Sequence, residues 1–289
     1  MRGTAVKTRA CTACGAELSG LHCGKCGAWN WSNPPAEIAA RMPAKTIAFE
    51  EIETEVLPRI SLGIVDRCLD VQGWEKTGKS GVVVSDVVLL GGGPGAGKST
   101  LSMGIAQCIC AVGTCLYVAA EEDLMAIKVR GRRLKIKTRN RLQFLPAMGG
   151  GVDLLAVIYD IKPAGVIIDS IDGLVGRDPE AEMDLLDILK KACVLLQMPA
   201  IVISQVTKEL DFSGFQAKKH HVDVLLTLTA DSELKTDNNE AVRILETTDK
   251  NRNGRAYVET YLSMTETGLS YWNSEEEGIE NGVRLPEQA

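Results

Sequence analysis

The segment Gly92-Gly93-Pro94-Gly95-Ala96-Gly97-Lys98-Ser99 constrains this chain more than any other. It fits the pattern GxxxxGK[ST] without a mismatch, follows an apolar run (VVLL) and opens a helix-like one (STLSMGIAQCI). Glycines let backbone N–H groups converge on phosphate oxygens where a Cβ would block the approach. A helix N-terminus behind the loop adds partial positive charge. Residues Gly92 to Ser99, with Thr100, are therefore expected to cradle a nucleoside triphosphate such as ATP. Lys98 would reach the β/γ-phosphates, and the Ser99 hydroxyl would ligate Mg2+.

Such a loop needs two acidic partners. Gly165-Val166-Ile167-Ile168-Asp169 ends an apolar strand-like run on an acid, so Asp169 is expected to hold the Mg2+. Tyr117-Val118-Ala119-Ala120-Glu121-Glu122 places two carboxylates at the end of the strand that follows the loop's helix. Either Glu121 or Glu122 can be the base that activates water, or both, with Asp123, can serve as acids at the start of the next helix.

The surrounding chain alternates strand and helix. Val82–Leu90, Cys115–Ala119, Leu142–Leu145, Ala164–Asp169 and Ala200–Ser204 are strand-like; Leu101–Val112, Asp123–Leu134, Val152–Ile161 and Ala181–Gln197 have helical periodicity. This rhythm predicts an α/β fold with a mainly parallel sheet. After residue 221 four strand-like runs follow without a helix (VDVLLTLT, AVRILETT, AYVETYLSM, LSYW), which predicts an antiparallel extension. Residues 99–120 carry no formal charge, but Ser99, Ser102, Gln107 and Gly113-Thr114 break them into a buried helix and a strand. No membrane partner is expected. The segment MRGTAVKTRA lacks the apolar core of a signal peptide, and a cytoplasmic location is expected.

Four of the nine cysteines stand as two CxxC pairs, Cys11/Cys14 and Cys23/Cys26, separated by eight residues. Two such turns complete a tetrahedral thiolate shell, expected to be a closed, structural Zn2+ site. A thioredoxin-like redox reading lacks its βαβ context. The scattered remaining cysteines do not form a secreted disulfide framework. The domains read as a zinc finger over 1–33, a linker over 34–57, an ATPase core over 58–273 and a frayed acidic tail over 274–289.

Taken together, CTACG…CGKCGAWN, LPRISLGIVDRCL, GGGPGAGKSTL, LYVAAEE, AIKVRGRRL, VIIDSIDGL, SQVTKE and DKNRNG follow the order of the RadA/Sms family, which the chain resembles over about residues 9–273. The resemblance implies a RecA-like P-loop ATPase core behind a small four-Cys zinc finger. It further implies a homo-oligomer, a hexameric ring, that binds single-stranded and branched DNA and promotes branch migration in recombination and repair. A recombinase or replication protein is the implied partner. Gln205 matches the sensor position of such cores. Lys250 and Arg252 match residues that reach a neighbour's nucleotide; an Asn-Gly turn between strands is the bland alternative. The family's KNRFG carries Phe where this chain has Asn253, and its Lon-protease-like C-terminal domain is not matched here. KNRNG is also similar to DnaB-type helicases. That leaves a replicative helicase, and an ATP-gated DNA-loading adaptor, as alternative functions.

Two loops are expected to meet DNA: 171–179 with Arg177, and 206–221 with Lys208, Phe212, Phe215, Lys218 and Lys219, where charge and aromatic rings alternate. The net charge is −6, so any nucleic-acid surface must be local. The strongest such block, Lys128 to Arg141, holds eight Lys/Arg and no acid. The first 46 residues also lean basic, with six Lys/Arg against two Glu, so the finger is a further candidate for DNA contact.

Overall fold

A computed structural model describes residues 9–18, 21–39, 46, 48–52, 57–69, 80–148, 152–176, 178–205, 217–275 and 277–284. Two short antiparallel pairs come first in the chain, the hairpin of β1 (Arg9–Ala10) with β2 (Glu17–Leu18) and the pairing of β3 (Arg59–Ile60) with β4 (Val82–Val83). The central sheet follows: β5 (Val87–Gly91), β6 (Cys115–Ala119), β7 (Leu142–Pro146), β8 (Gly165–Asp169), β9 (Ala200–Ile203), β10 (Val224–Lys235), β11 (Ala241–Asn251), β12 (Val258–Thr265) and β13 (Gly268–Tyr271). A last hairpin pairs β14 (Ile279–Glu280) with β15 (Val283–Arg284).

The nine sheet strands lie in the order β13-β12-β11-β10-β5-β9-β8-β6-β7. From β10 to β7 every pairing is parallel, and β10 to β13 form the antiparallel extension. The parallel strands are apolar on both faces because both are covered. Val87 and Leu89 face one core with Leu116, Val118, Val166, Ile168 and Val202. Val88 and Leu90 face the other with Tyr117, Ile167, Ile201 and Ile203. The helix Lys98–Val112 packs on the second face, and Leu154–Ile161 and Pro179–Leu196 cover the first. The uncharged 99–120 stretch is thus one amphiphilic helix and one interior strand. Among the described residues, no helix is long and apolar enough to cross a membrane.

Two expectations are corrected. The run Val82–Leu90 is not one strand: a turn at Val84–Asp86, closed by Asp86 N–H donating to Val83 O at 3.0 Å, separates β4 from β5. Polar Ser85-Asp86 cannot continue a doubly buried strand. The tail is not frayed through 284, because Ile279 is buried with Val242, Tyr261 and Trp272. Ile38, on the short helix Ala36–Ala39, is 1% exposed and joins Leu21 and Trp31 in the main core. The Ser32 hydroxyl donates to Asp153 at 2.6 Å, fixing the cysteine module to the N-cap of the Leu154–Ile161 helix.

Candidate functional site

The carboxyl ends of β5, β6, β8 and β9 converge, the place where open α/β sheets bind ligands. After Gly91 the chain enters the glycine loop. Gly92 has φ +155°, and a Cβ there would lie 2.3 Å from the carbonyl oxygen of Leu228, so glycine is required. Gly97 has φ +109° and caps the Lys98–Val112 helix, whose first N–H groups open into the loop. The Lys98 ammonium donates to the carbonyls of Gly92 (2.6 Å) and Gly93 (3.0 Å). Burial lowers its pKa, and the nearby Glu121, Asp169 and Asp172 carboxylates pull it back up.

Asp169 ends β8 and is 4% exposed. It accepts a hydrogen bond from Tyr117 OH at 2.6 Å, and that hydroxyl also meets Ser102 Oγ at 2.9 Å. Burial raises the Asp169 pKa; the bonds from Tyr117 and Ser99 oppose the rise, while Glu121 and Glu122 add to it. Asp169 is therefore an acid held close to the loop's serine, with its charge incompletely compensated by protein, which suits a divalent cation.

The two glutamates separate. Glu122 forms an ion pair with Arg130 at 2.7 Å. Glu121 is open to solvent and accepts from Gln205 Nε2 at 2.6 Å, while the Gln205 backbone N–H donates to Asp172 at 3.0 Å. Asp123 alone is the helix cap, accepting from Met125 N–H (2.6 Å) and Ala126 N–H (3.0 Å). Tyr117, Ser102, Asp172 and Arg130 escape a reading of the sequence. Only Asp172, in the IDGL segment beside Asp169, carried a signal that could have found it.

Lys250 and Arg252 lie away from this cluster. Asn251 is in register with Val224, and Val224 with Val88, so the DKNRNG turn sits at the opening end of β5. Five strand residues at ~3.3 Å each put it roughly 16 Å along the sheet from the glycine loop of the same chain.

The four cysteine Sγ atoms lie within 4.8 Å of one another. Cys11–Cys26 and Cys14–Cys23 are 3.6 and 3.7 Å apart. Tetrahedral ligation with Zn–S ≈ 2.3 Å requires sulfur separations of about 3.8 Å, so the donor set fits that ion. Burial raises the Cys11 thiol, but backbone N–H groups of Cys14 and Ala13 more than offset it and bring it down to about 6. Asn30, 4% exposed, receives Thr12 N–H (2.8 Å) and donates to Ala28 O (2.9 Å), locking one knuckle to the other.

Arg177, Lys208, Phe212 and Phe215 lie outside the described residues. Lys218 is corrected: it is 8% exposed, paired with Glu182 and donating to Ser204 Oγ at 3.0 Å, so it is not a surface contact. Lys219 is paired with Asp249. In the basic block, Arg130 is taken by Glu122 and Arg141 caps the Lys98–Val112 helix at the Ala111 carbonyl (3.3 Å); Lys128, Arg132, Lys135 and Arg139 remain exposed.

The strand order and the loop define the class: a RecA-type P-loop core carrying a four-cysteine module at its amino-terminal end. A KaiC-like protein from Pyrococcus horikoshii shares this fold, with a TM-score of 0.57 and 16% identity, over 75% of this chain and 100% of that one. In sequence the chain is similar to the DNA repair protein RadA. It is 29% identical to that of Haemophilus influenzae over 90% of its length, and 30% identical to that of Chlamydia pneumoniae over 92%. It is 29% identical to that of Bacillus subtilis over 90%. The chain spans about three-fifths of the curated relatives it matches, 58% and 59% for the first two. No family model matches it.

Proposed function

We propose that the chain is an ATP-hydrolysing, ring-forming motor of the RadA type that works on single-stranded and branched DNA in repair. The observation that carries this reading is the Glu121–Gln205 hydrogen bond at the mouth of the glycine loop. It joins a solvent-open carboxylate, suited to take a proton from water, to the segment that leads into the 206–221 loop.

In this reading Lys98 and the loop N–H groups hold the β/γ-phosphates. Ser99 and Asp169 hold Mg2+, which neutralises charge on the phosphate oxygens when bound. Glu121 accepts the proton of the attacking water, and Gln205 orients it. Arg252 and Lys250 reach the site of the next copy, because their own site lies at the other end of β5. There they stabilise transition-state charge and make turnover depend on assembly. The cysteine module holds Zn2+ as a structural ion.

The test is ATP hydrolysis with and without single-stranded DNA, at low and moderate salt. Stimulation by DNA that weakens with salt is expected. Tight nucleotide binding with no turnover under any condition supports the loading adaptor instead. Robust directional unwinding of a plain fork, rather than action on branched intermediates, supports the replicative helicase.

A further inference from the structure

The turn that carries Arg252 is clasped onto the opening edge of the sheet, and two residues of that clasp are not explained by the nucleotide site. Asp86 is 4% exposed and Asp223 2% exposed, each standing immediately before a parallel strand. Asp223 accepts from Val87 N–H (3.1 Å) and from Lys190 (2.8 Å). It also pairs with Arg252 Nη1 at 3.1 Å, while its carbonyl accepts the Arg252 backbone N–H at 3.0 Å. Asn253 donates its amide to both oxygens of Asp86, at 3.1 and 2.9 Å. The Asn253 carbonyl accepts from Arg59 at 3.2 Å. More than half of the Arg252 side-chain surface stays open. The guanidinium is therefore tethered through its backbone and one nitrogen, with the rest free to meet an anion from outside the chain.

The clasp also accounts for a departure in the sequence. The RadA/Sms pattern has Phe where this chain has Asn253, and a phenyl ring cannot donate to a buried carboxylate. Asn253 satisfies Asp86, which burial otherwise leaves as a costly charge.

We propose that Asp86 and Asn253 are a positioning pair that fixes the Arg252 turn on the opening edge of β5, so that Arg252 is presented to the neighbouring copy in one geometry. The inference rests on the proposed trans role of Arg252, and the test separates the two. An arginine that acts on a transferred phosphoryl group contributes ~10³-fold or more to turnover, so Arg252→Ala should lower kcat about a thousandfold. Breaking the clasp leaves the guanidinium present but loose, so Asn253→Ala should lower kcat roughly tenfold with the KM for ATP unchanged. The double variant Asn253→Ala/Arg252→Ala should be no slower than Arg252→Ala alone.

Asn253→Asp sets two carboxylates against each other and should be slower than Asn253→Ala. Adding Asp86→Asn to it restores one donor and one acceptor and should recover turnover. A structural defect alone would lower the melting temperature in step with the rate in every variant, and would slow Arg252→Ala further when Asn253→Ala is added to it. If Arg252→Ala is silent, or the unaltered chain does not turn over, the trans reading falls and the pairing proposal falls with it. If Arg252→Ala is strongly impaired while Asn253→Ala and Asn253→Asp are not, the positioning proposal alone is overturned.

Discussion

At the scale of single residues, two glutamates adjacent in the chain have been given different partners. Arg130 neutralises Glu122, whereas among the described residues Glu121 accepts from the neutral amide of Gln205. Replacing Glu121 by Gln should therefore lower ATP turnover by about 10²-fold or more, the usual worth of a positioned base, in single-turnover assays. Glu122→Gln should cost less than tenfold. Lys98→Ala should abolish turnover, and retained turnover would remove the glycine loop from the mechanism.

Asp86 carries a pH signature of its own. Burial lifts its pKa to about 6, with Asn253 opposing, Asp223 adding to the rise, and Arg59 and Arg252 opposing. A folded value above the ordinary ~3.8 means that the folded state holds this proton more tightly than the unfolded chain. The stability from this group is thus complete below pH ~4 and is lost as pH rises towards 6, on the order of 2–3 kcal/mol. Urea titrations at pH 4.5 and 7 should show this loss, and Asp86→Asn should flatten it.

At the scale of elements, the cysteine module is built into the P-loop core. Leu21 and Trp31 come from the module and Ile38 from the helix behind it, yet all three sit in the cluster that covers β8 and β9. A module of this size has too little apolar area to fold alone, so docking on the core contributes to its fold, as would an ion held by the four cysteines. Trp31→Ala should destabilise the protein by about 3–5 kcal/mol in denaturant titration, as aromatic truncations in cores do. Chelation of zinc should expose Trp29 and Trp31, which stack at 5.7 Å, and red-shift tryptophan emission while lowering the melting temperature of the core itself. A freely tethered finger would leave the core's melting unchanged.

At the scale of the whole molecule, the glycine loop is at the closing end of β5 and the Arg252 turn at its opening end. In the proposed mechanism Arg252 therefore serves the site of another copy. Mixing Lys98→Ala protein with Arg252→Ala protein should restore turnover, because the first supplies a finger to the second's intact loop. Two dead proteins that stay dead on mixing would argue that each chain works alone.

The local chemistry was legible in the sequence because it depends on near neighbours. The glycine loop, the strand-end Asp169, the paired CxxC turns and the alternation of strand and helix are all set by residues a few positions apart. Their spacing dictates the turn, the period or the ligand set. What the sequence could not show depends on contacts between distant segments. The different partners of Glu121 and Glu122 came from Gln205 and Arg130, the burial of Lys218 from Glu182, and the anchoring of the cysteine module from Asp153. Asn253 looked like a plain turn residue until the fold set Asp86 beneath it. Side-chain roles of that kind are decided by which strands lie side by side, and strand order is a property of the packed sheet rather than of any one stretch of chain.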